Sequence, residues 1–226
     1  MDEEQIKKEK ENIERSVIKS EDGKIRIGAV SPNYAISSDS PDKYTKGRIS
    51  LDNMNFFGIK KIDRDLDGKI LVYEDRIKGW FLNFAKMLSK EHDAGFIVLM
   101  ICTSYLEGNQ QFREGKISKG SSSKMLINSL KRIFGVEENP ALTLFIEEVR
   151  HGLFHDGMTR KNVEINSSTT QPFFISEDKK RILINPRLFL FIIEDDFENY
   201  ISLLKDSKNK KERENFEKCW NAMYEW

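Results

Sequence analysis

Between residues 140 and 155 the chain carries Leu142, Leu144, Phe145, Ile146, Val149, Leu153 and Phe154. Wound into a helix, these side chains cover most of the circumference, so the helix must lie at the centre of a larger structure. The flanking sequence supplies its neighbours. Ile77, Trp80, Phe81, Phe84 and Leu88 recur at helical spacing and predict an amphipathic helix over 74–90 with those side chains as its apolar face. Phe96, Ile97, Met100, Ile101, Tyr105 and Leu106 predict a second over 93–114, starting behind Asp93 as a cap. A Gly/Ser run at 118–123 separates it from a third helix at 123–134, which Gly135 should end, and Pro140 suits the first turn of the fourth.

Asp156-Gly157 stops the central helix, and the pattern then turns strand-like at 162–166, 172–176 and 181–185. The last two segments, around Glu177-Asp178-Lys179-Lys180, predict a β-hairpin. Pro186 opens a closing helical region with Leu188, Phe189, Ile192, Ile193, Phe197, Tyr200, Ile201 and Leu204 in phase. A charged stretch, 205–218, leads to Trp220, Met223, Tyr224 and Trp226, an aromatic density that calls for packing against a helix or a partner. Upstream, residues 1–20 suggest a charged arm or peripheral helix, 24–30 a strand and 37–46 a loop. The expected class is mainly α, an up-and-down helical bundle with a small β-hairpin appendage around 163–185. A helical domain at 74–226 would follow an N-terminal region, 1–73, of charged helix, short strands and loops.

Composition narrows the function. Lys plus Arg and Asp plus Glu both number 37 in 226 residues, so the formal net charge is zero. A general nucleic-acid coat would be basic, and any RNA contact here must come from a local patch. Two cysteines, Cys102 and Cys219, make neither a disulfide framework nor a CxxC metal site. The opening Met1-Asp2-Glu3-Glu4-Gln5 has no secretory signature, and the longest apolar run, 96–102, is far too short to span a membrane. A cytoplasmic protein without a membrane contact is expected.

Two motifs carry chemistry. Asp63, Asp65 and Asp67, with Gly68 and Glu74, match the calcium-loop pattern of an EF-hand. Strand-like text on both sides of Asp67-Gly68 makes a hairpin turn the competing expectation. The second is Arg150-His151-Gly152-Leu153-Phe154-His155, which gathers two of the three histidines beside a permanent cation. An arginine can hold a phosphate through two hydrogen bonds, and a histidine can move a proton near neutral pH. His151 and His155 share a helix face, as zinc ligands do, yet Gly-Leu-Phe between them lacks a catalytic Glu, and His92 or a carboxylate would have to complete the set. A purely structural alternative pairs these cations with Glu147 and Glu148 at the helix end.

In the context of the helices before it, Arg150 to His155 resembles the Arg-x4-His signature of the HEPN superfamily, with His151 as the polar residue that often follows the Arg. Asp156-Gly157-Met158-Thr159 and Ile184-Asn185-Pro186 resemble bacterial members that carry a β-hairpin and a closing helix after the motif. The resemblance covers about residues 74–204. It implies a HEPN-like fold and a metal-independent endoribonuclease without a cofactor, acting as a toxin or antiviral defence factor. Arg150 would then hold the scissile phosphate and His155 would act as general base or acid, leaving a 2′,3′-cyclic phosphate. His151 would orient these groups or bind an adjacent phosphate. The resemblance also implies a homodimer with a composite site, possible control by an antitoxin or regulator, and Glu107 as the orienting partner of Arg150. Arg113, Lys116, Lys119, Lys124, Lys131 and Arg132 are candidates for the RNA backbone. One spacing stands against the site: on an α-helix Arg150 and His155 lie about 140° apart. The alternative function is a non-catalytic HEPN-like dimerisation or interaction module.

Overall fold

The computed structural model describes residues 18–19, 25–26, 31–36, 60–63, 65–137, 140–176 and 180–224. The chain divides into two compact units, one drawn from the N-terminal 76 residues and one from residues 77–224. In the first, β1 (Ile18–Lys19) pairs antiparallel with β2 (Ile25–Arg26), and β3 (Tyr34–Ile36) pairs parallel with β4 (Lys60–Ile62). The strand expected at 24–30 is thus present as β2, whereas residues 18–19, expected in a helix or arm, form a strand. The rest of the charged arm and the loop expected at 37–46 lie outside the described residues.

The candidate calcium loop is neither a calcium loop nor a hairpin turn. Helix α1 (Leu66–Ile77) runs through it, placing Asp67, Gly68 and Glu74 all on helical backbone. The reason is local. The Asp65 carboxylate accepts the Gly68 N–H at 2.7 Å, and the Asp65 carbonyl accepts the Lys69 N–H at 3.0 Å. That is an N-cap, and it outweighs the strand preference of Ile70, Leu71, Val72 and Tyr73. Glycine is required at position 68 because a Cβ there would lie 1.9 Å from the Asp63 carbonyl oxygen.

The second unit is mainly helical, with a small sheet. A π-helical turn, Lys78–Leu82, leads into α2 (Asn83–Leu88), followed by α3 (Gly95–Glu114) and α4 (Ser122–Phe134). The central helix α5 begins as Pro140–Leu144 and continues through π-helical turns at Phe145–Arg150 and Gly152–Asp156. Three short strands follow, β5 (Val163–Ile165), β6 (Phe173–Ile175) and β7 (Ile182–Ile184), then α6 (Pro186–Lys205) and α7 (Lys210–Met223). β6 and β7 are antiparallel, as the hairpin reading requires, although the turn at 177–179 lies outside the described residues. β5 adds to β7 in parallel, giving the order β5-β7-β6.

α3 is the hub: α4, α6 and α7 all pack on it. One aromatic cluster joins α4, α5, β6 and α6, with Phe134 and Phe189 stacked at 4.7 Å and Phe145 and Phe173 edge to face at 5.4 Å. A second joins α3 to α7 through Phe112, Phe216 and Trp220, so the C-terminal aromatics do pack back, Trp220 being fully buried; Trp226 lies outside the described residues. Leu142, Phe145, Ile146, Val149 and Leu153 of α5 are all buried, which confirms its central position.

Two predicted faces are only partly right, Tyr105 and Leu106 being buried as expected. On the segment 77–88, Leu82 and Ala85 are buried while Trp80, Phe81 and Phe84 are 47, 42 and 51% exposed. The apolar residues there are spread over more than one face. At the start of α3, Phe96 and Ile97 are exposed, and Val98, Leu99 and Cys102 form the buried stripe instead. Asp93 does not cap this helix; the residue before it is Ala94, with no side-chain hydrogen bond. Among the described residues, no helix is long and apolar enough to cross a membrane.

Candidate active site

The motif lies where α5 leaves the core. Its backbone is hydrogen-bonded with a five-residue repeat, the His151 N–H reaching the Ile146 carbonyl. Such winding brings residues five apart towards one face and so narrows the angular gap that an α-helix would leave between Arg150 and His155. The helix ends at Gly157, whose φ of 75° suits a residue without a Cβ. The chain then folds back on the motif. The Arg160 N–H donates to the Glu148 carbonyl at 2.9 Å, and the Asn162 N–H donates to the Glu148 carboxylate at 3.2 Å. Gly152 allows this contact, because a Cβ there would sit 2.6 Å from the Met158 carbonyl oxygen.

Arg150 is partly buried and turned towards α3 and α4. Its Nη2 donates to Glu107 at 3.3 Å and to the Ser122 hydroxyl at 3.4 Å. Both are longer than the 2.7–2.9 Å of a tight charge-assisted bond, so Arg150 is steered rather than locked. Its Nε is buried with no hydrogen-bond partner among the described residues. An unmet buried donor costs roughly 1–3 kcal/mol, which makes this guanidinium an acceptor-seeking group. Phe154, one turn on, presents its ring 5.8 Å from the Arg150 guanidinium carbon.

The two imidazoles lie side by side, ring centroids 5.7 Å apart. The Nδ1 of His151 lies 3.2 Å from a Glu147 carboxylate oxygen. Arg160 steadies Glu147 by donating to its carbonyl at 3.1 Å. His155 is exposed and makes no hydrogen bond among the described residues. Asp156 beside it accepts from the Arg160 Nε at 2.7 Å. That bond, and next the Arg160 charge, hold the Asp156 carboxyl below its ordinary range against a desolvation effect, with His155 and His151 acting in the same direction.

The structure therefore brings Arg150 to Glu107, and His151 to His155, while no hydrogen bond or ion pair joins Arg150 to His155 among the described residues. The structural alternative holds for His151 with Glu147 but not for Arg150, which turns away to Glu107; Glu148 holds the following loop. The basic candidates separate. Lys124 is exposed two residues after Ser122. Arg132 is committed to the Asp196 carboxylate, which also takes Arg113 at 3.0 Å and the Tyr105 hydroxyl at 2.8 Å. Lys131 shares its helix, α4. Ser122, Phe154 and Arg160 were not legible as site residues, although the four-residue step from Arg150 to Phe154 was a usable signal.

Neither cysteine offers a nucleophile: burial raises the Cys102 thiol and pushes Cys219 up to about 12. His92, the third histidine considered for zinc, lies against Asp93 in the turn before α3. Among the described residues, no group of three or more His, Cys, Asp or Glu side chains is arranged to hold a metal ion. Comparison with family models, curated proteins and solved structures yields no match.

Proposed function

We propose that this protein is a metal-independent endoribonuclease of the HEPN type, acting in the cytoplasm as a toxin or defence factor. The observation that carries the proposal is the environment of Arg150. It is steered by Glu107 and Ser122, keeps its Nε without a partner among the described residues, and ends one π-helical turn of α5 while an exposed His155 lies on the next. Arg150 holds the scissile phosphate and stabilises the charge that develops on it. His155 takes the proton of the 2′-hydroxyl, whose oxygen attacks phosphorus; the bond to the 5′-oxygen breaks and a 2′,3′-cyclic phosphate remains. A second copy of the motif, across a homodimer, supplies the group that protonates the leaving oxygen. His151, oriented by Glu147, binds the neighbouring phosphate.

The test is cleavage of labelled RNA together with growth arrest on expression. Wild type should cut, and Arg150→Ala and His155→Ala should each lose cutting by about a hundredfold or more with unchanged circular dichroism. Glu107→Gln should lose less, because it steers rather than reacts. Failure of the wild type to cut any RNA at high concentration, or toxicity that survives the double variant, overturns the reading. The exposed Trp80, Phe81, Phe84 and Met87 favour a second reading, a non-catalytic interaction module, which predicts complex formation without cleavage.

A further inference from the structure

Phe154 lies on the central helix α5, yet 44% of it is exposed, while Phe145 of the same helix is completely buried. Its ring lies 5.8 Å from the guanidinium carbon of Arg150, and its neighbour in sequence is the exposed His155. An aromatic face held beside a cation with donors to spare is the pairing that a nucleotide needs: a flat surface for the base and a fork for its phosphate. We infer that Phe154 is a base-stacking subsite, taking an unpaired nucleobase next to the phosphate held by Arg150. The inference rests on the nuclease reading for its ligand but makes a separate demand, because stacking requires the ring and not the proton-transfer groups.

The cation–π contact explains how both partners are presented. It holds the Phe154 ring against Arg150 while 44% of the residue stays open to solvent. A base within a duplex has both faces covered by its neighbours and cannot use such a surface, so the subsite selects unpaired RNA. Stacking tolerates any base, so Phe154 should govern strandedness more than base identity.

The test uses the full chain and a fluorescently labelled single-stranded oligonucleotide, 2′-O-methylated so that it cannot be cut, beside the matching duplex. Phe154→Ala should weaken single-strand binding roughly tenfold or more, Phe154→Trp should retain it, and duplex binding should hardly change in either. Phe154→Leu separates stacking from apolar filling: binding near wild type with leucine overturns the subsite. So does wild-type affinity in the alanine variant, absence of wild-type binding, or a change in oligomeric state with alanine, which would assign the ring to a protein contact. Unmodified RNA distinguishes the two readings. Phe154-dependent binding without any cleavage sustains the subsite and removes the nuclease.

Discussion

Charged and polar side chains around α3 illustrate how far single residues were predictable. Glu107 was expected to face Arg150, and it lies 3.3 Å from it. Nothing in sequence marked Glu114, seven residues later, which accepts from Gln110 at 2.9 Å and from Asn128 at 2.8 Å. Burial raises its carboxyl, but those bonds, with Lys116 and Lys124, outweigh burial and leave it below the ordinary value. A carboxylate depressed on folding stabilises above its unfolded value, about 4.3, and loses that contribution as pH falls through the folded one. Urea midpoints measured from pH 7 downward should therefore drop more for wild type than for Glu114→Gln, the two converging once pH has fallen through the folded value. Parallel curves would show that this carboxylate carries no linkage.

The elements were most legible where a local signal sets them. Gly135 ends α4 with a φ of 63°, and Asn185 caps α6 by accepting the Arg187 and Leu188 N–H groups. What escaped was the winding of α5, because a five-residue repeat depends on the packing around the helix as well as on its own residues. Gly152 is the hinge of that packing. Gly152→Ala must displace the 158–160 segment, since the new Cβ would approach the Met158 carbonyl at 2.6 Å. Destabilisation of about 1–3 kcal/mol in chemical denaturation is expected, with a loss of RNA cleavage beyond what the stability change explains. An alanine variant as stable and as active as wild type would show that the fold-back does not position the motif.

Across the second unit, Asp196 joins α6 to both α3 and α4 by accepting from Tyr105, Arg113 and Arg132. Arg113 also lies 4.2 Å over the Tyr200 ring. Asp196→Asn would leave two mostly covered guanidinium groups facing a neutral amide, and a loss of about 3 kcal/mol is expected in equilibrium unfolding. A loss under about 1 kcal/mol would mark the cluster as an exposed surface pairing. The apolar periodicity, the caps and the glycines by themselves determined a mainly helical chain, its central helix and the hairpin that follows, because those signals act within a few residues. They also placed Arg150, His151 and His155 together on one helix end. Only tertiary structure decided that Trp80, Phe81 and Phe84 would face outward. It also decided that Arg132 would turn to Asp196 and Arg150 to Glu107. Each of these depends on which surface a neighbouring segment presents, and a one-dimensional pattern does not carry that information.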